Sequence, residues 1–304
     1  MQNRTETMSV NGWEITHSRD SLELTERHVR QLTDTAQEWA ELFPGRTWVQ
    51  SEYGVPSLII RPDCTVDEDG NLRFYEVEER PAGIGVTSHL NPRFAERLND
   101  VRRSWPDFKA VVSEERESYD DDLWLEVSPL SEVVDSEELV LVRAEPTEAA
   151  FHQLESRSVS SIQHKGDKHY GVALGWWSKV RAEEFEELPW DGEGFTLKPL
   201  QGSKTRDVYI WSPKRFRGTV TRTKIRKVLE ERGEMFCQPL HRPIETGDPT
   251  YPHMIYRIFM GFNPETRQFE VMGGLWMARN NYKVHGARDS VLGPLVSPSN
   301  SSGQ

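Results

Sequence analysis

Arg61-Pro62-Asp63-Cys64-Thr65-Val66-Asp67-Glu68-Asp69-Gly70-Asn71-Leu72-Arg73-Phe74-Tyr75-Glu76-Val77-Glu78 is the stretch on which the reading of this chain turns. Leu58 to Val66 and Asn71 to Glu79 read as two strands, rich in Leu, Ile, Val, Phe and Tyr, with Asp69-Gly70 in the turn between them. Side chains two apart in a strand share a face. Arg61 and Asp63 therefore point one way, as do Glu76 and Glu78, and a turn closing on residues 67 to 70 sets Arg61 opposite Glu76. All four groups then converge. Hard divalent cations such as magnesium take carboxylate oxygens and keep waters and nucleotide phosphates as remaining ligands, so a rigid hairpin carrying Asp63, Glu76 and Glu78 makes a platform for one. Arg61 beside them suits a phosphate oxygen. The competing reading is a solvated strand face with a cross-strand Arg-Glu pair, and spacing alone favours it.

The rest of the chain has to tip the balance. With 304 residues there is enough chain for a large core divided between two or three lobes. Charged residues make up 28% and mean hydropathy is -0.67, yet 36% hydrophobic residues and ten tryptophans supply a core, which excludes wholesale disorder. No apolar run approaches the ~18 residues of a membrane span, so no membrane partner is expected. Met1 to Val10 is polar and lacks the apolar core of a secretion signal. Cys64 and Cys237 lie too far apart in sequence to frame a disulfide or zinc motif, and no HxxH or HExxH spacing occurs among the histidines. A reducing cytoplasm is the expected compartment. A net charge of -12 disfavours general nucleic-acid binding. One local exception is Ser212 to Lys227, with seven basic residues and no acid; Ser113 to Asp122 is its acidic counterpart. Such runs are ordinarily solvated faces.

Apolar residues Val29, Leu32, Ala36, Trp39, Ala40 and Phe43 recur at helical steps between Thr25 and Phe43, and Pro44-Gly45 stops that helix. Pro81 to Gly85 reads as a loop and Pro92 to Trp105 as a second helix. Phe108 to Ser113, Leu123 to Val127 and Glu138 to Arg143 read as strands. Residues 1–155 thus alternate helix and strand as an α/β lobe. Downstream, Gly194 to Leu200 and Asp207 to Trp211 are strands around Gln201-Gly202-Ser203-Lys204-Thr205, and Thr221 to Arg232 is a helix ending at Gly233. Met235 to Leu240, Met254 to Phe262 and Gln268 to Met277 complete the strands of an α+β lobe over residues 156–297. A disordered tail is expected over 298–304.

Lys198-Pro199 ends a strand before a glycine loop. A lysine there can place its ammonium on a nucleotide phosphate while the N–H groups of Gly202 and Ser203 approach the phosphates; equally, it is a surface lysine. The loop is not GxxxxGK[ST], and no GxGxxG occurs. Met235 to Leu240 can serve as a hinge whose backbone and Gln238 bond an adenine edge, or as an ordinary core strand. Arg257 and Arg279 stand in apolar strands, where an arginine needs a paired acid or an anion. Gln163 to Gly171 reads as a lid or as a plain surface loop. Trp176-Trp177 reads as core.

The order of these pieces resembles the ATP-grasp ligases, and more narrowly the circularly permuted branch typified by the synthetase domain of glutathionylspermidine synthetase. A strand with R-x-D, a turn and a strand with E-x-[NE] precede a Lys-Pro with a glycine loop, a Gln-containing hinge strand and an arginine strand leading to Gly273-Gly274. The resemblance spans about Pro56 to Pro294. It implies an α+β, ATP-grasp-like fold with a nucleotide cleft between the acidic-hairpin lobe and the C-terminal lobe. It implies that Asp63, Glu76 and Glu78 hold magnesium and that Arg61 contacts phosphate. Lys198 and one of Lys165 and Lys168 would bind ATP, Cys237 and Gln238 would line the adenine, and Arg257 would stabilise the transferred phosphoryl group. The implied activity is ADP-forming ligation of a small-molecule or peptide carboxylate to an amine through an acyl phosphate. Glu78 departs from the family, which usually has asparagine there, and the chain is short for a synthetase with an elaborate acceptor domain. Two other readings stay open, a nucleotide-binding relative without turnover and a nucleic-acid-binding protein using residues 212–227.

Overall fold

The structure, a computed structural model, describes residues 5–10, 13–43, 47–112, 123–143, 153–161, 169–200, 207–284 and 289–298. Strands β1 (Thr5–Val10), β2 (Trp13–Ser18) and β3 (Leu22–Glu23) lead into helix α1 (Glu26–Glu41). Thr25 caps α1 by accepting from the His28 N–H, and the His28 ring accepts from the Thr25 N–H in return. The apolar stripe read from the sequence is the buried one, with Leu32, Ala36, Trp39 and Ala40 in the core. Helix α2 (Trp48–Tyr53) then delivers the chain to the hairpin of β4 (Ile59–Val66) and β5 (Leu72–Glu78), within a residue of the expected bounds.

The loop expected over Pro81 to Gly85 is shorter than that, because helix α3 (Ile84–Leu90) begins inside it; α4 (Pro92–Arg102) follows. Asn91 makes the joint: it accepts from the Phe94 N–H to cap α4 and donates to the carbonyls of Gly274 and Leu295. Strands β6 (Phe108–Val112), β7 (Val127–Pro129) and, after the short helix α5 (Leu130–Val133), β8 (Leu139–Val142) form a parallel sheet in the order β7-β6-β8. The strand expected from Leu123 starts only at Val127.

Helix α6 (Tyr170–Ala173) opens the next region. There β9 (Ser178–Val180), β10 (Phe195–Pro199), β11 (Tyr209–Trp211) and, after helix α7 (Arg222–Arg232), β12 (Met235–Pro239) pair antiparallel in the order β11-β10-β12-β9. Ile225, Val228 and Leu229 of α7 pack with Phe195, Leu197 and Met235 in this sheet's own core. Strands β13 (Ile244–Glu245), β14 (His253–Asn263), β15 (Gln268–Arg279) and β16 (Ser290–Val296) finish the chain.

The largest sheet runs β1-β2-β16-β15-β14-β4-β5, with β3 beside β16 and β13 beside β14. It therefore takes strands from both sides of residue 155, and the hairpin expected to belong to an N-terminal lobe is laid against β14. Gly274 makes the close packing of β14 on β15 possible, since a Cβ there would stand 1.9 Å from the Arg257 carbonyl oxygen. Pro62 leaves a mark as well. The β4–β14 ladder pairs Asp63 with Arg257 and Ile60 with Met260 but skips Arg61 and Pro62, as a residue without an N–H requires.

Candidate functional site

The hairpin brings its charges together in a register the sequence did not reveal. Arg61 pairs with Glu78, and Asp63 with Glu76, instead of Arg61 with Glu76. Two irregularities, each worth one residue, cause the shift: the turn closes between Asp67 and Asn71, and a bulge interrupts the ladder between Asp63 and Cys64, leaving Tyr75 extra on β5. A one-residue slip would have sent the glutamates to the other face, whereas two slips restore it. Asp63, Glu76 and Glu78 each offer a carboxylate oxygen, and these lie within 4.8 Å of one another.

Arg61 is the hub beneath them. Its Nε and Nη2 grip both oxygens of Asp63 at 2.7 and 3.1 Å, Nη2 lies 2.8 Å from Glu78 Oε1, and Nη1 donates to the Ala82 carbonyl at 2.6 Å. The side chain is 2% exposed and stands over the Phe259 ring, so its donors are directed at protein acceptors and away from a cleft phosphate. Arg143, just beyond β8, donates to the neighbouring Pro81 carbonyl at 2.7 Å, so two guanidinium groups hold the loop that leaves β5.

Arg257 enters from β14, opposite Asp63, with Nε 3.3 Å from Asp63 Oδ2. That nitrogen makes no well-formed hydrogen bond among the described residues. Burial and the Arg61 guanidinium push Arg257 down from its ordinary value. Burial likewise pushes the Asp63 carboxyl up, while Arg61 and Arg257 pull it back toward the charged form. With all five ionised, three carboxylates and two guanidiniums leave the cluster one negative charge in excess.

The four-stranded sheet closes on the open edge of β5. Lys198, buried on β10, donates to the Tyr75 carbonyl at 2.8 Å, and its ammonium lies 5.0 Å from the centre of the Trp177 ring. Gln238 of β12 donates to the Phe74 carbonyl at 2.8 Å. Cys237 points the other way, into the core of its own sheet, and its backbone is laddered to β10 on one side and β9 on the other. Burial pushes its thiol up to about 12. The structure thus brings Lys198, Gln238 and Arg257 to the carboxylate hairpin and leaves Cys237 apart. Lys165, Lys168, Gly202 and Ser203 lie outside the described residues, as do most of the lid segment and the acidic run.

Sequence reasoning missed Tyr170, His241 and Tyr75. The Tyr170 hydroxyl accepts from the Val77 N–H at 2.8 Å and donates to the Val77 carbonyl at 3.1 Å, and burial followed by Glu76 pushes it well above its ordinary value, so it remains a donor. Tyr75 donates to the His241 carbonyl, and burial, Lys198 and Arg73 push the His241 ring down to about 4. A lone tyrosine after a polar segment gave no sign of this. Among the other basic residues singled out, Arg279 is paired with Asp289 at 2.9 Å. Arg222 and Arg226 are paired with Glu186 and stacked on Trp190 and Phe185, which partly neutralises the basic run; Lys214, Arg215 and Arg217 are exposed.

No described helix is long and apolar enough to cross a membrane. No protein-family model matches the chain, and no curated protein does. Among solved structures, the chain is similar to one described as "Putative gamma-glutamylcysteine synthetase" from Methylobacillus flagellatus KT, at 12% identity over 80% of each chain with a TM-score of 0.42.

Proposed function

We propose that this chain is an ATP-dependent, ADP-forming ligase that joins a carboxylate to an amine through an acyl phosphate. The observation that carries this reading is the meeting of two unlike donor sets: the Asp63, Glu76 and Glu78 oxygens within 4.8 Å of one another, and a buried lysine from a second sheet 2.8 Å from the carbonyl of Tyr75, the residue before Glu76. An all-carboxylate set fits a hard divalent cation. Magnesium bound there would offset phosphate charge.

The chain's own groups have separable tasks in this reading. Lys198 exchanges the Tyr75 carbonyl for a phosphate oxygen, and its place over Trp177 keeps water from weakening that contact. Arg257, crowded by a second cation, gains from an arriving phosphoryl group. Arg61 holds Asp63 and Glu78 in place. No protein nucleophile is called for: the substrate carboxylate attacks the γ-phosphorus and ADP leaves. The amine nitrogen then attacks the acyl carbon, phosphate departs, and the nitrogen loses a proton.

Calorimetry with ATP and magnesium on the wild type and Lys198→Ala tests the reading. Magnesium-dependent binding in the wild type, weakened at least about tenfold by the substitution, is expected. Absence of binding, or an unaltered affinity, removes the ligase reading. A second reading, nucleotide binding without turnover, draws on the engagement of both Asp63 oxygens by arginine. Binding without ADP release across a broad screen of acids and amines would favour it.

A further inference from the structure

We propose that Tyr170 is a positioning residue for the carboxylate triad, fixing the separation of Glu76 and Glu78 through the backbone of the residue between them. The inference rests on the ligase reading, in which the triad holds a divalent cation. Among the described residues, strand β5 is the last in its sheet, so one row of its backbone groups has no neighbouring described strand. Val77 pairs across β4 with Pro62, which has no N–H to offer, and the N–H and carbonyl of Val77 face the open edge. Those two groups are flanked by Glu76 on one side and Glu78 on the other. A strand residue whose edge groups are buried and unanswered would move to satisfy them, and any change in its φ and ψ swings the carboxylates before and after it.

The Tyr170 hydroxyl answers both groups at once. It takes the Val77 N–H at 2.8 Å and gives to the Val77 carbonyl at 3.1 Å, as a missing strand would. The ring is itself held, edge-on to Trp39 at 6.2 Å and against Trp177 at 5.4 Å between centroids. Lys198 and Gln238 secure the same edge, but at Tyr75 and Phe74, before the first glutamate. Tyr170 acts at Val77, between the two carboxylates. The arrangement is that of a partner behind a ligand, with the peptide unit as the intermediary.

The test is Tyr170→Phe, which keeps the ring and removes the oxygen. Manganese(II), read by the electron paramagnetic resonance of the free ion, serves as the probe without nucleotide. Affinity is expected to fall about tenfold, in the range for loss of a partner behind a ligand. Thr221→Ala, which removes the cap of α7 in the other sheet, provides a variant of comparable stability loss in which manganese affinity stays as in the wild type. If Tyr170→Phe melts lower but binds manganese like the wild type, Tyr170 is merely structural and the inference is overturned. If the wild type binds no manganese, the triad reading beneath it falls instead. Should the variant not fold, hydrogen exchange in the wild type decides: a Val77 amide held by Tyr170 exchanges slowly, and fast exchange overturns the contact.

Discussion

Replacing Arg61 by methionine is the perturbation whose outcome the site geometry fixes most narrowly. Arg61 touches Asp63 at 2.7 Å, Glu78 at 2.8 Å and the Ala82 carbonyl at 2.6 Å while 2% exposed. Breaking a buried ion pair from one side costs about 3–5 kcal/mol, because the other side remains charged and poorly solvated. Two features move the value to the low end. Glu78 is 24% exposed and can take up water, and Arg257 stays within 3.3 Å of Asp63. We therefore expect a loss of about 3 kcal/mol in urea unfolding at neutral pH, out of the ~5–15 kcal/mol typical of a folded domain. The variant also has a signature that plain destabilisation lacks. Without Arg61 the cluster carries three carboxylates against one guanidinium, so millimolar magnesium should stabilise the variant more than the wild type, narrowing the gap. A loss below about 1 kcal/mol, or equal stabilisation of both proteins by magnesium, would refute the reasoning.

Two further outcomes follow from single contacts. Gly274→Ala drives a methyl group to within 1.9 Å of the Arg257 carbonyl, and a loss of about 3 kcal/mol with weakened metal binding is expected; an unchanged melting temperature would deny the close approach of β14 and β15. His241, with an ordinary value of 6.5 pushed down to about 4, binds a proton more readily when the chain is unfolded. Stability should therefore fall as pH drops from about 6.5 toward 4, by up to about 3 kcal/mol, and His241→Gln should flatten that limb of the urea-derived profile.

What the sequence disclosed and withheld divides along physical lines. The β4–β5 hairpin, α1, α7 and the long β14–β15 pair were legible because alternation, helical spacing and turn residues are local signals. Register was not, since the Tyr75 bulge and the wider turn leave no compositional trace. Strand β16 was hidden by Gly293 and Pro294, which sign as turn residues, and β1 by its polar sequence Thr5-Glu6-Thr7-Met8-Ser9. The assignment of one lobe to each half of the chain had no way to anticipate β4 pairing with β14. Asp63, Glu76, Glu78, Lys198 and Gln238 were singled out by residue type and order, and the structure gathers all five at one hairpin. Their present partners were not readable. Arg61 looked like a phosphate ligand because its burial against Phe259, with its donors taken by Asp63, Glu78 and the Ala82 carbonyl, cannot be seen in a short motif, and Tyr170 was invisible because its partner stands 93 residues away.

The same distances govern how the hairpin comes into being. The edge of β5 is closed by side chains 93, 123 and 164 residues downstream, and the other side of β4 waits for β14. A ribosome that has released β4 and β5 has therefore made an acidic ribbon whose flanks both stay open until nearly the whole chain has emerged. Non-local pairing of this kind is slow, and exposed edges recruit other chains meanwhile. The three carboxylates that gather into one site in the finished protein would also repel a second copy of the same ribbon, as like charges on an open edge do.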